Sequence, residues 1–108
     1  MTTKKDETLK KIVTTLKDEF SPSRLFLFGS QANGSASGDS DYDFVVVVPE
    51  KNGSRLKSMA LARSLLHDKC KVSADVFVFS EAEFDEWKNE LNSIPETALN
   101  TGLELDLG

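Results

Sequence analysis

Two apolar runs flank a glycine- and serine-rich gap in the first half of the chain. The first, Leu25-Phe26-Leu27-Phe28, leads straight into Gly29-Ser30. Ten residues then separate Ser30 from Asp41. Asp41-Tyr42-Asp43 follows, and after it comes Phe44-Val45-Val46-Val47-Val48. Continuous apolar runs of this length, bounded by turn formers, read as strands over Arg24–Phe28 and 42–48. The second is apolar enough to be buried on both faces. A small-residue turn at the end of one strand therefore meets two spaced carboxylates at the start of the next.

The rest of the chain supplies helices to pack on such strands. Leu9, Ile12, Val13, Leu16 and Phe20 form one stripe of a helix over Thr2–Phe20, stopped by Ser21-Pro22-Ser23. Residues 29–40 read as a loop, or one helical turn and a loop. Pro49 ends the second strand, and Glu50-Lys51-Asn52-Gly53 is a turn. Ser54 is a candidate N-cap for a helix to about Lys69, with an apolar face of Leu56, Met59, Ala60, Leu61, Leu65 and Leu66. Arg55, Lys57, Arg63 and Lys69 supply its wet face. A third strand follows over Ser73–Phe79. Ser80 and Glu83 form a capping box for a last helix bearing Phe84, Trp87 and Leu91, which Pro95 should end. The alternating tail Leu103–Leu107 suits an edge strand.

These elements predict an α/β (α+β) chain: a small mixed sheet flanked by helices, in one domain over residues 1–108. A length of 108 residues suffices for one modest core. No apolar stretch approaches the roughly 20 residues of a membrane span, and the N-terminus lacks the apolar core of a signal peptide. Cys70 is the sole cysteine, so no intrachain disulfide forms and a cytoplasmic setting is expected. Charge is unevenly placed. Residues 1–79 carry 12 Lys/Arg against 10 Asp/Glu, whereas residues 80–108 carry one Lys against 8 Asp/Glu. So acidic a closing segment argues against direct nucleic-acid binding there, and offers a face for a basic partner.

Topology then gathers the polar residues. The second strand, the helix and the third strand form a β-α-β unit with parallel strands. The ten-residue loop lets the first two strands run antiparallel. Ser30, Asp41, Asp43 and Asp75 then share one edge of the sheet. In extended backbone, residues two apart point the same way, so Asp41 and Asp43 aim at one site and Tyr42 points away. Hard divalent cations take oxygen ligands, and Mg²⁺ is usually held by one or two carboxylates plus substrate phosphates. Two carboxylates could bridge a metal pair about 3.5–4 Å apart. Asp75 could complete the second metal site and take a proton from an incoming hydroxyl. Gly29 allows close approach to a phosphate, and Ser30 offers it a hydroxyl.

Two look-alike motifs fail. Gly29 and Gly34 have P-loop spacing, but Ser35-Ala36 stands where Lys-Ser/Thr is required. Asp39, Asp41, Asp43 and Glu50 match calcium-loop positions 1, 3, 5 and 12, yet Phe44 occupies the obligatory glycine position. His67 has no second ligand at metal spacing and reads as a surface or packing residue. Cys70 reads as structural, and Trp87 as core or interface.

The stretch Leu27-Phe28-Gly29-Ser30 through Ser40-Asp41-Tyr42-Asp43-Phe44-Val45-Val46 resembles the signature of the DNA polymerase β-type nucleotidyltransferase superfamily. It is most similar to the minimal nucleotidyltransferase (MNT) branch, the antitoxins paired with HEPN-domain toxins. The resemblance implies the nucleotidyltransferase fold and an ATP- and Mg²⁺-dependent transfer of a nucleotide to a hydroxyl. It implies that Gly29 and Ser30 hold the triphosphate. Asp41, Asp43 and Asp75 would be the catalytic acids and bind two Mg²⁺ ions. It further implies AMP transfer to a tyrosine of a partner HEPN toxin, as in type VII-like toxin–antitoxin pairs. The alternatives are an antitoxin acting by binding alone, and a subunit of a split aminoglycoside-type transferase. One departure stands out: many relatives carry an arginine shortly after Gly-Ser, whereas Gln31-Ala32-Asn33-Gly34 brings no positive charge.

Overall fold

The apolar stripe of the first segment becomes helix α1, Lys4–Phe20, which buries Ile12 and Leu16 and half-buries Leu9, Val13 and Phe20. The computed structural model describes residues 4–29, 32, 41–50 and 53–107. Ser21 takes a left-handed backbone (φ 46°) and the chain turns into strand β1, Arg24–Phe28. Strand β2 is Tyr42–Val48 and helix α2 is Arg55–Cys70. Strand β3 is Ala74–Ser80, helix α3 Glu81–Trp87 and helix α4 Ile94–Thr101. A short strand β4, Leu103–Glu104, closes the sequence of elements.

The four strands form one sheet in the order β3-β2-β1-β4. β1 runs antiparallel to both β2 and β4, and β2 runs parallel to β3. Strands that run parallel need a long crossover, and α2 provides it. Alternation along each strand splits the core in two. Leu25, Leu27, Phe44, Val46, Val76 and Val78 face Ile12 and Leu16 of α1 and Ala62 and Leu66 of α2. Phe26, Val45, Val47 and Phe79 face Phe84 of α3 and Ala98 of α4. Phe44 to Val48 are all buried because β2 is central and covered on both sides. On the second face Phe26 and Phe84 stack at 5.4 Å between ring centroids. The Arg24 guanidinium lies over both rings, at 4.9 and 5.5 Å, and donates two 2.9 Å hydrogen bonds to Glu104. That pair fastens β4 to β1.

Several expectations need correcting. Pro95 does not end a helix; it opens α4. Proline lacks the amide hydrogen that a first turn leaves unused anyway. Ser93 caps that turn by accepting from the Glu96 amide at 3.2 Å. α3 stops at Trp87, so Trp87 and Leu91 are not an inward stripe; they are 46% and 81% exposed. On α2 the buried residues are Ala62 and Leu66, while Leu56 and Leu61 face solvent. Ser54 stands at the N-cap in extended backbone, but its side chain makes no capping bond. The Ser80–Glu83 capping box is present in both directions, at 3.0 and 3.1 Å. The start of α1 before Lys4 lies outside the described residues.

Candidate functional site

The strand register fixes where the acids stand. Asp43 of β2 is paired with Asp75 of β3, and across β1 with Phe28. Asp43 shares the face of Val45 and Val47, and Asp75 that of Phe77 and Phe79, by strand alternation. Asp41, exposed, comes two residues before Asp43. Tyr42 points the other way, into the core beneath α1 and α2. The three carboxylates therefore gather at the end of the sheet where β2 and β3 begin and β1 finishes. Phe28 and Phe77, half-buried and 6.1 Å apart between centroids, lie beside them on that face.

Gly29 follows directly on β1 with φ at +78°. A Cβ at this position would come 2.6 Å from Oδ2 of Asp43. The Asp43 carboxylate therefore occupies the space a side chain at 29 would need, and glycine leaves it there undisturbed. The Ala32 amide donates to the Gly29 carbonyl at 3.1 Å, turning the chain just after the strand. Ser30 lies outside the described residues.

Electrostatics at this edge favour a cation. Burial holds the Asp43 carboxyl above the usual carboxylate range, and the charges of Asp75 and Asp41 push it the same way. Like charges crowded into a half-buried site are relieved by a divalent ion. Among the described residues, no three His, Cys, Asp or Glu side chains form a ready-made metal cage. Mg²⁺ seldom has one; a carboxylate or two, completed by substrate phosphates, is its usual setting. Asp43 and Asp75, with Asp41 alongside, suit that kind of site.

The nucleotidyltransferase domain family matches residues 9–107. The chain belongs to that family. Its mixed four-stranded sheet with flanking helices is consistent with a nucleotidyltransferase fold. A comparison with curated proteins found no match. Family membership makes the chain a transferase domain and gives the acidic edge a chemical context.

One charged residue at this edge escaped the reading of the sequence. Nη1 of Arg63, on α2, stands 3.8 Å from Oδ1 of Asp75. The sequence places Arg63 simply on the wet face of its helix. The signal that could have found it is a match of pitch. Arg55 lies over Phe79 at 4.7 Å. Eight helical residues, Arg55 to Arg63, rise about 12 Å, close to the roughly 13 Å spanned by four strand residues, Phe79 back to Asp75. The two arginines thus reach the flank of β3 at two levels. Glu83, within the acidic closing segment, is occupied by Arg55 at 2.8 Å as well as by its capping box. His67 is exposed, as expected, and Cys70 packs half-buried with Thr15 Oγ1 3.8 Å from its sulfur.

Proposed function

We propose that this domain transfers AMP from ATP to a hydroxyl group of a partner protein, with a tyrosine of a HEPN-type toxin as the acceptor. The carrying observation is the registered pair Asp43 and Asp75, with Gly29 closed against Asp43, inside a nucleotidyltransferase match that spans residues 9–107. Asp41, Asp43 and Asp75 are the side chains that would hold Mg²⁺. Bound there, the ions would supply charge neutralisation for the triphosphate and for the departing pyrophosphate. The residues of the chain do the rest. Gly29 keeps its strand end low enough for a phosphate to approach, and Ser30 offers a hydroxyl to it. The acceptor oxygen forms a bond to the α-phosphorus. The bond from that phosphorus to the α,β-bridging oxygen breaks, and pyrophosphate leaves with its electron pair. The hydroxyl proton passes to the Asp75 carboxylate, whose side chain is 48% exposed and open to an incoming group.

An acceptor held by a partner would supply the positioning on which such transfer depends. The acidic segment after Ser80 would attract a basic partner through side chains such as Glu81 and Glu86, which are exposed. The compartment implied is the cytoplasm, where ATP is abundant; no helix among the described residues is long and apolar enough to cross a membrane.

The test is the intact mass of both proteins after incubation of the domain with a HEPN partner, Mg²⁺ and ATP. The expected result is a gain of one or more AMP units on the partner, absent with Asp41→Ala/Asp43→Ala. A stable complex with no mass gain would overturn transfer and leave inhibition by binding. A gain on an aminoglycoside in place of the protein would move the acceptor to a small molecule.

A further inference from the structure

The segment that builds most of the site carries no positive charge. From Leu25 to Glu50 there is no Lys, Arg or His. The ends of β1 and β2 that meet there thus bring only carboxylates and neutral groups to a site that, on the reading above, takes a triphosphate. Among the described residues, helix α2 brings a guanidinium to this edge through Arg63, 3.8 Å from Asp75.

The two arginines on this flank of α2 are held very differently. Arg55 is locked, with a 2.8 Å hydrogen bond to Glu83 and its guanidinium over Phe79. Arg63 is loose. Its 3.8 Å approach to Asp75 is too long for a hydrogen bond, and its side chain is 65% exposed. Exposed pairs of this kind hold weakly. The backbone beneath it is fixed, because neighbouring Ala62 and Leu66 are fully buried. A guanidinium on a fixed base, at the lip of a carboxylate pair, is free to turn without disturbing the fold. Its planar fork suits two phosphate oxygens at once.

We propose that Arg63 is the phosphate-binding cation of this site, resting on Asp75 and turning onto the triphosphate when nucleotide binds. The inference depends on the nucleotidyl-transfer reading. It makes α2, through its side chain at the edge of β3, part of the nucleotide site and more than a crossover.

Calorimetric titration tests it without turnover. The probes are inorganic tripolyphosphate and α,β-methylene ATP, each with Mg²⁺, and Mn²⁺ alone. Arg63→Ala should bind both phosphate probes about tenfold more weakly, Arg63→Lys should fall between, and Mn²⁺ alone should bind as well or better. Arg63 is exposed, so melting curves should be unchanged; Arg63→Gln is a second neutral variant with a longer side chain. Equal binding of both phosphate probes by wild type and Arg63→Ala overturns the proposal while sparing nucleotidyl transfer. So does a loss confined to the ATP analogue, which would put Arg63 on the sugar or base. A parallel loss of Mn²⁺ affinity would make Arg63 a support for Asp75 and also overturn it. If wild type binds neither phosphate probe, the nucleotidyl-transfer reading falls and this one with it.

Discussion

Gly29 and Gly53 make a matched pair for measuring what holds the site's strand ends together. Their φ values are +78° and +80°, so alanine meets the same backbone strain at either position. That strain is about 1–2 kcal/mol for a residue with a Cβ. At Gly53 an added Cβ has nothing within 4 Å, so Gly53→Ala should lose about this much and no more. At Gly29 the Cβ would lie 2.6 Å from Asp43 Oδ2. The obstacle is the end of a side chain, so Asp43 can rotate away, at a further cost of about 0.5–1.5 kcal/mol for a distorted rotamer. Gly29→Ala should therefore be the less stable of the two by about 1 kcal/mol, or about 4–8 °C in melting temperature for a domain near this size. Urea unfolding gives the first number and calorimetric Mn²⁺ titration gives the functional one. Only Gly29→Ala should weaken Mn²⁺ binding, because only there is a proposed ligand displaced. Equal stability losses with equal Mn²⁺ affinities would refute the argument that Asp43 is pressed against this turn.

Three further perturbations probe charge and packing. The Asp43 carboxyl is raised in the folded chain, so its ionised form opposes folding. Asp43→Asn should melt no lower than wild type in EDTA, with any gain fading below about pH 3.9, where the wild-type carboxyl is protonated in both states. It should also lose the Mg²⁺-dependent rise in melting temperature. Glu104 has the opposite sign: the hydrogen bonds from Arg24 hold its carboxyl below the usual range. Its stabilisation is present above an unfolded pKa of about 4.3 and is lost as pH falls through the folded value, so Glu104→Gln should cost at most about 1 kcal/mol at pH 7 and almost nothing in strong acid, read by melts across pH. Phe84 is 1% exposed and stacked on Phe26, so Phe84→Ala should cost about 3–5 kcal/mol in urea unfolding.

What the sequence disclosed, and what it withheld, follows from the range of each interaction. β1 and β2 were legible to the residue because their apolar runs are continuous and end at Gly29 and Pro49. That Asp43 and Asp75 share one edge of the sheet followed from one β-α-β unit and one short connection, which leave few arrangements, whereas their direct pairing needed the strand register. Local chemistry misled at Pro95. Proline stops a helix from its interior and starts one from its first turn, and Ser93 with Glu96 was the cue for the second. α2 misled because its apolar residues go nearly all the way round; burial of Ala62 and exposure of Leu61 depend on where the sheet lies. Arg63 was hidden for the same reason. Its partner is on another element, so the spacing from Arg55 to Arg63 means something only when set against the strand spacing from Phe79 to Asp75.

The two halves of the core come from successive stretches of the chain. Residues up to Val78 supply α1, α2 and the buried strand residues that face them, with Leu105 and Leu107 joining that face at the end. Phe84, Ile94 and Ala98, which cover the opposite face, come afterwards. A ribosome releases the N-terminus first, so the sheet emerges with one side dressed and the other bare. Until residues 81–101 follow, Phe26, Val45, Val47 and Phe79 form an uncovered apolar plate, with the acidic edge at its rim. Surface of that kind invites aggregation during synthesis. The side of the molecule that bears the candidate site is thus the last to be clothed, and the newborn chain is most in need of a chaperone on that side.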